Sequence, residues 1–287
     1  MTMLYHAHIP SPPLASFVEC MWSLVDAPAH STERIVPSGT LELVINLHED
    51  EIRVYDPESG AVRRFSGAVV SGAYRRFFVI DTREHASIVG VHFRPGGAAP
   101  FLGVAPGELV DRHVDLEVLW RGAAVELRDR LCEASPAARF GVLERMLLRR
   151  LSRYRGGHPA VALALAQIER PDTSIGEIAT SVHLSRRRLI EVFAAEVGVT
   201  PKRFARVLRF QRALALARDE GTPDWGRLGS QCGYFDQSHL IHDFRELTGM
   251  TPAPVMRASA HVKDHHVAVS DAEGQILPSE TRRPSPH

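Results

Sequence analysis

The stretch "CGYFDQSHLIHDFRELTGMTP", residues 232 to 252, holds side chains suited to reading a nucleic-acid edge. Wound as a helix, it puts Leu240, Phe244 and Leu247 on one stripe and Gln237, Ser238, Ile241, His242 and Arg245 on the other. A glutamine amide can pair with adenine and an arginine guanidinium with guanine in a major groove, so the second stripe has the chemistry of a base reader. Such a face is more often a solvated surface, and alone it decides nothing. Repetition decides it. Leu189, Phe193, Gly198, Thr200 and Pro201 reappear as Leu240, Phe244, Gly249, Thr251 and Pro252, each 51 positions later. Ile175, Ile178 and Val182 correspond to Trp225, Leu228 and Cys232 at a shift of 50, which leaves one extra residue for the turn of the second copy. In the first copy the outward positions are Arg186, Arg187, Ile190 and Glu191, with Arg188 beside them. Arginine can hold guanine through two hydrogen bonds, and glutamate can accept one from cytosine.

Each copy reads as helix, tight turn, helix. The first turns at "HLS", with Ser185 placed to cap the second helix; the other has Asp224 before its first helix, Gly233 at the turn and Asp236 as cap. Two short helices cannot bury their apolar faces alone. The third partner is "PKRFARVLRFQRALALARD", 201 to 219, a strong helix former carrying Phe204, Leu208, Ala215 and Leu216 among basic residues. It gives roughly 25 Å of linking helix. Such a strut can set two recognition helices about one DNA turn, roughly 34 Å, apart. Lys202 and Arg203 at its start are phosphate candidates, as are Arg186, Arg188 and Arg245 beside the reading positions.

At these residues the chain resembles the AraC/XylS family of bacterial transcription regulators. The resemblance spans roughly 159 to 257 and is most specific in "GYFDQSHLIHDFRELTGMTP". It implies a DNA-binding domain of two helix-turn-helix units joined by a long helix. It also implies that Arg187, Ile190 and Glu191 in the first unit, and Gln237, Ser238, Ile241 and His242 in the second, face base edges. The chain departs from the family at Gly229, where Ala is usual, and at acidic Glu191, where a basic or polar reader is common. Upstream, "VPSGTLELVINL" and "GVHFRPGGAAPFLG" look like the sensor domain of one branch of that family.

The remaining residues say how these elements are carried. The 287-residue chain is 44% hydrophobic and 24% charged, enough for sizeable cores in about two domains. Lys plus Arg equals Asp plus Glu at 34 each, so no global charge excess announces a nucleic acid, and charges nearly balance across 159 to 260 as well. Affinity must then lean on dimerisation or site geometry. From 17 to 93, "RIVPSGTLELVINL", "EIRVY", "RRFFVI" and "ASIVGVHF" predict strands; from 98 to 153, "LEVLWRGAAVELRDRLCEA" and "PAARFGVLERMLLRRLSRY" predict two helices leaning on the sheet or forming a self-association surface. "YRGGHP", 154 to 159, breaks the pattern.

The expected fold class is α+β. A β-rich sensor or dimerisation domain with packed helices covers 1–155, an all-α DNA-binding domain 156–258, and a disordered tail 259–287. Alternation in "LELVINL" lets one sheet face close over a ligand pocket. His48, His85 and His92 with Glu42 could in principle hold a metal, but no HxH or HxxxH pair with a following acidic ligand lies on those strands, and His261, His265 and His266 fall in the tail. Ser238 of "QSH" sits inside a helix and is no nucleophile elbow, and the glycine pair of "RPGGAAPFLG" reads as a turn rather than an anion cradle. No metal, cofactor or catalytic residue is therefore expected. The alternative is an enzyme or DNA-repair domain fused to the DNA-binding module; repair of that kind would need a reactive, usually metal-bound cysteine, but Cys20 lacks clustered partners, and Cys20, Cys132 and Cys232 form no CxxC pair. The expected partner is double-stranded DNA. A small-molecule effector, RNA polymerase and a second copy of the chain are further candidates, with no membrane. The N terminus has no basic-then-apolar stretch and no run approaches about 18 apolar residues, so a cytoplasmic location is expected.

Overall fold

Strands with apolar residues on both faces demand a sheet covered twice, and the N-terminal half supplies both covers. The computed structural model describes residues 4–25, 32–81, 86–154, 156–170, 173–257 and 266–269. Its strands are β1 Leu4–His8, β2 Val18–Val25, β3 Thr32–Ile35, β4 Glu42–Asn46, β5 Ile52–Tyr55, β6 Val62–Phe65, β7 Ala68–Ser71, β8 Phe78–Asp81, β9 Ser87–Phe93, β10 His113–Asp115 and β11 His266–Val269. The helices are α1 Ala99–Leu102, α2 Leu116–Trp120, α3 Gly122–Glu133, α4 Arg139–Leu151, α5 Pro159–Ile168, α6 Ile175–Ser181, α7 Arg186–Val197, α8 Pro201–Glu220, α9 Trp225–Gln231, α10 Gln237–Thr248 and α11 Pro252–Arg257. Antiparallel pairing yields one sheet in the order β1-β2-β9-β4-β7-β10 and another in the order β11-β3-β8-β5-β6. Leu43 and Ile45 of β4 and Val70 of β7 join the core shared with α3 and α4. Val44 and Val69, their neighbours in sequence, belong instead to the core shared with Ile52, Val54 and Phe78 of the second sheet. The molecule is α+β, as expected.

Two details of this half depart from the sequence expectation. The helix expected over 116–134 is broken where Arg121 adopts φ 53° and ψ −142°, which separates α2 from α3. Residues 113–115, in the region of helical texture but ahead of its first expected helix, form β10 because they pair with β7, His113 facing Ser71 in register. The strand is too short to announce itself by alternation.

The helical half follows the repeat closely. Ser185 accepts from the Arg188 backbone N–H at 3.1 Å, Asp224 from Gly226 at 2.9 Å and Arg227 at 3.2 Å, and Asp236 from His239 at 2.7 Å. Leu189, Phe193, Leu240, Phe244 and Leu247 are fully buried. The linking helix α8 has 20 residues, about 30 Å and longer than its sequence estimate. Its Phe204 packs on Phe193 of the first unit and its Phe210 meets Phe244 of the second edge-on, at centroid distances of 5.8 and 5.0 Å.

The break at "YRGGHP" falls between α4 and α5, yet packing continues across it. One apolar cluster runs from Leu14, Leu41 and Phe93 through Val161, Leu189 and Phe193 to Phe204. The Gln211 amide donates to Pro37 O at 2.5 Å, and Arg34 to Thr248 O at 2.8 Å. Two glycines permit the approach. A Cβ on Gly39 (φ 77°) would stand 3.0 Å from the Phe204 ring, and one on Gly249 (φ 73°) would stand 2.6 Å from the Phe77 ring, so both the backbone angle and the space exclude a side chain.

Inside the segment expected to be an unstructured tail, β11 pairs with β3, and the His266 ring meets Glu33 Oε2 at 2.6 Å. The rest of 258–287, His261 and His265 included, lies outside the described residues, as does His85. Val267 of β11 is fully buried in the cluster that contains Phe210, Leu214, Leu228 and Leu240. Val267→Ala should therefore lower unfolding stability in urea by roughly 1.5 kcal/mol, two methyl groups at about 0.8 kcal/mol each. An unchanged midpoint would mean that the strand does not dock in solution.

Candidate nucleic-acid interface

Helical periodicity puts α7 and α10 against α8 through their apolar stripes, which leaves the opposite stripes outward. On α10, Gln237, Ser238, His242 and Arg245 are exposed, while Ile241 is half-buried against the core of its own unit. On α7, Arg186, Arg187, Arg188 and Glu191 are exposed and Ile190 is half-buried. The Arg187 side chain is 91% exposed yet already engaged: its Nε donates to Glu191 Oε1 at 3.0 Å, and Arg188 Nη1 lies 3.5 Å from Glu191 Oε2. These hydrogen bonds, that of Arg187 first, hold the Glu191 carboxyl below the usual carboxylate range. The outward face of α7 thus presents an ion-paired cluster, and that of α10 presents amide, hydroxyl and imidazole groups beside the guanidinium of Arg245.

Of the phosphate candidates, Lys202 is exposed, but Arg203 is half-buried and turned toward the N-terminal half, where Nη1 donates to Arg75 O at 3.5 Å. Sequence spacing could not have told the two neighbours apart, because the difference lies in what packs beside α8.

A group that spacing alone did not reveal fastens the second reading head. Asp243, 1% exposed, accepts from Arg206 Nε at 2.8 Å and lies 3.3 Å from Arg209 Nη2. Arg206 also reaches Glu246 Oε2 at 2.6 Å, and Arg209 stacks over the buried Tyr234 ring at 4.6 Å. The Arg206 hydrogen bond keeps Glu246 below the usual carboxylate range, and burial pushes the Tyr234 phenol up. Both arginines come from α8 and both carboxylates from α10.

Beside this clamp a cleft of about 460 Å³ opens between the halves. Its floor is aromatic: Tyr74 Oη lies 2.5 Å from His113 Nδ1, and Phe78 packs edge-on to His113 at 4.7 Å. Burial depresses the His113 pKa to about 3, so the ring is neutral at ordinary pH. Arg63, Arg75, Arg76 and Arg203 stand at the rim with Glu58, Asp111 and Glu246. Elsewhere, His92 bonds Thr40 Oγ1 at 2.9 Å, with Glu42 3.8 Å away. Among the described residues no group of three or more His, Cys, Asp or Glu side chains is placed to hold a metal ion, and no helix is long and apolar enough to cross a membrane.

Residues 178–258, which begin inside α6 and run through α7, the strut and the second capped helix pair, match the helix-turn-helix domain family. They form an AraC-type DNA-binding domain. Residues 6–115 match a domain of unknown function, and none of the curated proteins matches the chain. Similar solved structures include ToxT from Vibrio cholerae in two forms. An apo variant is 10% identical over 90% of this chain and 97% of that one, with a TM-score of 0.45. The form bound to an unsaturated fatty acid is 10% identical over 91% and 96%, with a TM-score of 0.44. The AraC-type domain makes the chain a DNA-binding transcription regulator.

The clamp gives two expected outcomes. Asp243→Ala removes the carboxylate shared by Arg206 and Arg209, of which Arg206 keeps Glu246, and should cost about 3 kcal/mol in unfolding experiments, the low end of the penalty for halving a buried pair. Glu246 is more open, so its pairing contributes about 1 kcal/mol or less. Because its folded pKa is lowered, that contribution is complete above the ordinary carboxylate range and is lost as pH falls through the lowered value. Wild type and Glu246→Gln should differ in Tm at pH 7 and converge in acid; a constant gap would refute the pairing.

Proposed function

We propose that α7 and α10 enter successive major grooves of one specific DNA site and that the N-terminal half adjusts this binding to a small molecule. The observation that carries the reading is the exposure of Gln237, Ser238, His242, Arg187 and Glu191 opposite two fully buried stripes joined by one rigid helix. Arg187, Ile190, Glu191, Gln237, Ser238, Ile241 and His242 are assigned to base edges. Arg186, Arg188, Lys202 and Arg245 are assigned to phosphates, while the position of Arg203 ties it to the cleft. Residues 1–155 are the sensor in this division and 156–258 the DNA-binding part. RNA polymerase and a second copy of the chain are compatible partners.

The cleft is the effector site on this reading. An aromatic floor with arginines at the rim suits a small organic acid with an apolar body. Glu246 and Arg203 line it, and Glu246 grips Arg206, which also holds Asp243, so occupancy acts on α10 through the clamp. A typical coupling of about 1 to 3 kcal/mol would change operator affinity roughly 5- to 150-fold.

Selection and sequencing of bound genomic fragments would supply the operator. Footprinting should then protect two major-groove segments about 10 base pairs apart on one face of the duplex. Gln237→Ala and Arg187→Ala should each cost roughly 1 to 3 kcal/mol and relax preference at one base position, whereas Lys202→Ala should weaken all sequences alike. Unchanged preference in both reading-head variants would refute the assignment. In the full chain, Arg203→Ala should keep specific binding and lose its response to organic acids; an intact response would move the effector elsewhere.

A further inference from the structure

Phe235 is 92% exposed, more than any other large apolar side chain among the described residues. Leaving a phenylalanine in water forgoes the gain from burying its ring, so its position calls for a reason. It lies between the turn glycine Gly233 and Asp236, the cap of α10, directly before the exposed Gln237 and Ser238. The inward place at this turn is taken by Tyr234, buried and stacked under Arg209, and chain alternation sends the next ring out. The matching residue of the first unit, Leu184, is half-buried against the core. The two copies have therefore diverged at the N-terminal end of the recognition helix, the end that meets base edges in helix-turn-helix complexes. Scattered exposed apolar residues elsewhere, such as Val118 and Leu163, need no special account. Phe235 differs in standing on the reading edge.

We propose that Phe235 is a further specificity residue of the second reading head, its ring covering the C5-methyl group of a thymine in the major groove. The inference rests on α10 being a recognition helix. A thymine methyl is the one apolar feature that the major-groove edge offers, and a phenylalanine is a suitable partner for it. Because the turn is held by Tyr234 and by the Asp236 cap, the ring is presented with little further ordering of the backbone.

The test uses the full chain and its selected operator, resynthesised with uracil in place of each thymine, one at a time, across the segment protected by the second unit. Wild type should lose roughly fourfold in affinity at one position, the factor that burying one methyl-sized group is worth. Phe235→Ala should bind the native operator about as wild type binds that uracil operator, and should be indifferent to uracil there. Phe235→Leu should keep the sensitivity. Gln237→Ala should keep it too while losing discrimination at a different base. The proposal is overturned if wild type tolerates uracil everywhere in the segment, or if Phe235→Ala stays as methyl-sensitive as wild type. It is equally overturned if Phe235→Ala binds every operator normally but loses transcriptional output, which would assign the ring to a protein partner. Failure of α10 as a reader would look different, since Gln237→Ala would then be silent as well.

Discussion

Two arginines of α8 converging on the buried carboxylate of Asp243 set where the second recognition helix lies relative to the first. A spacing between two reading heads is worth something only if the strut cannot slide or roll against either of them. Apolar packing gives attraction but tolerates small rotations, because dispersion and burial are non-directional. Guanidinium groups paired with a buried carboxylate do not tolerate them, since misalignment leaves charges desolvated without partners. Apolar packing, Phe210 against Phe244 included, therefore supplies the attraction, and the arginine clamp fixes the angle. The first unit is held differently: Phe193 and Phe204 meet inside the apolar cluster that continues into the N-terminal half.

That asymmetry bears on how a signal could travel. The first unit shares a continuous core with the sheet and α1–α4, so it is braced by the proposed sensor. The second unit has its own core, and touches the N-terminal half through Arg34, Phe77, β11 and the cleft residue Glu246. Val36, Phe77 and Val267 make part of this contact apolar, whereas the links at Arg34 and Glu246 are polar and cheaper to rearrange than a packed apolar seam. A ligand that pulls Glu246 toward the rim arginines would compete with Arg206 for the same carboxylate. The equilibrium such a ligand can shift is bounded by the difference in its affinity for the two arrangements.

Local patterns were the legible part of the chain. Caps, apolar spacing and the turn glycine act within a few residues, so Ser185, Asp224, Gly233 and Asp236 could be placed from sequence, and the repeat made each placement in one copy a check on the other. The strands from β3 to β9 were legible as a region for the same reason. β10 and β11 were not: each lies outside the run of strand-forming segments, among helical or polar residues, and each exists because a partner edge is available. The break at Arg121 is a tertiary imposition on a segment whose periodicity fits one helix. The role of Asp243 was hidden because a buried acid on an amphipathic helix looks like an error in the stripe until the facing arginines are seen.

Arg203 and Lys202 make the same point at a single turn of helix. Both are basic, both sit at the start of the strut, and a spacing argument assigns them one role. They are separated by about 100° around α8, enough to put one in solvent and the other at the cleft. A half-buried arginine that already donates to a backbone carbonyl would have to give up that bond to reach a phosphate. An exposed lysine has nothing to give up. Local composition thus fixes which residues are basic, and packing decides which of them are free to meet DNA and which report on the neighbouring half.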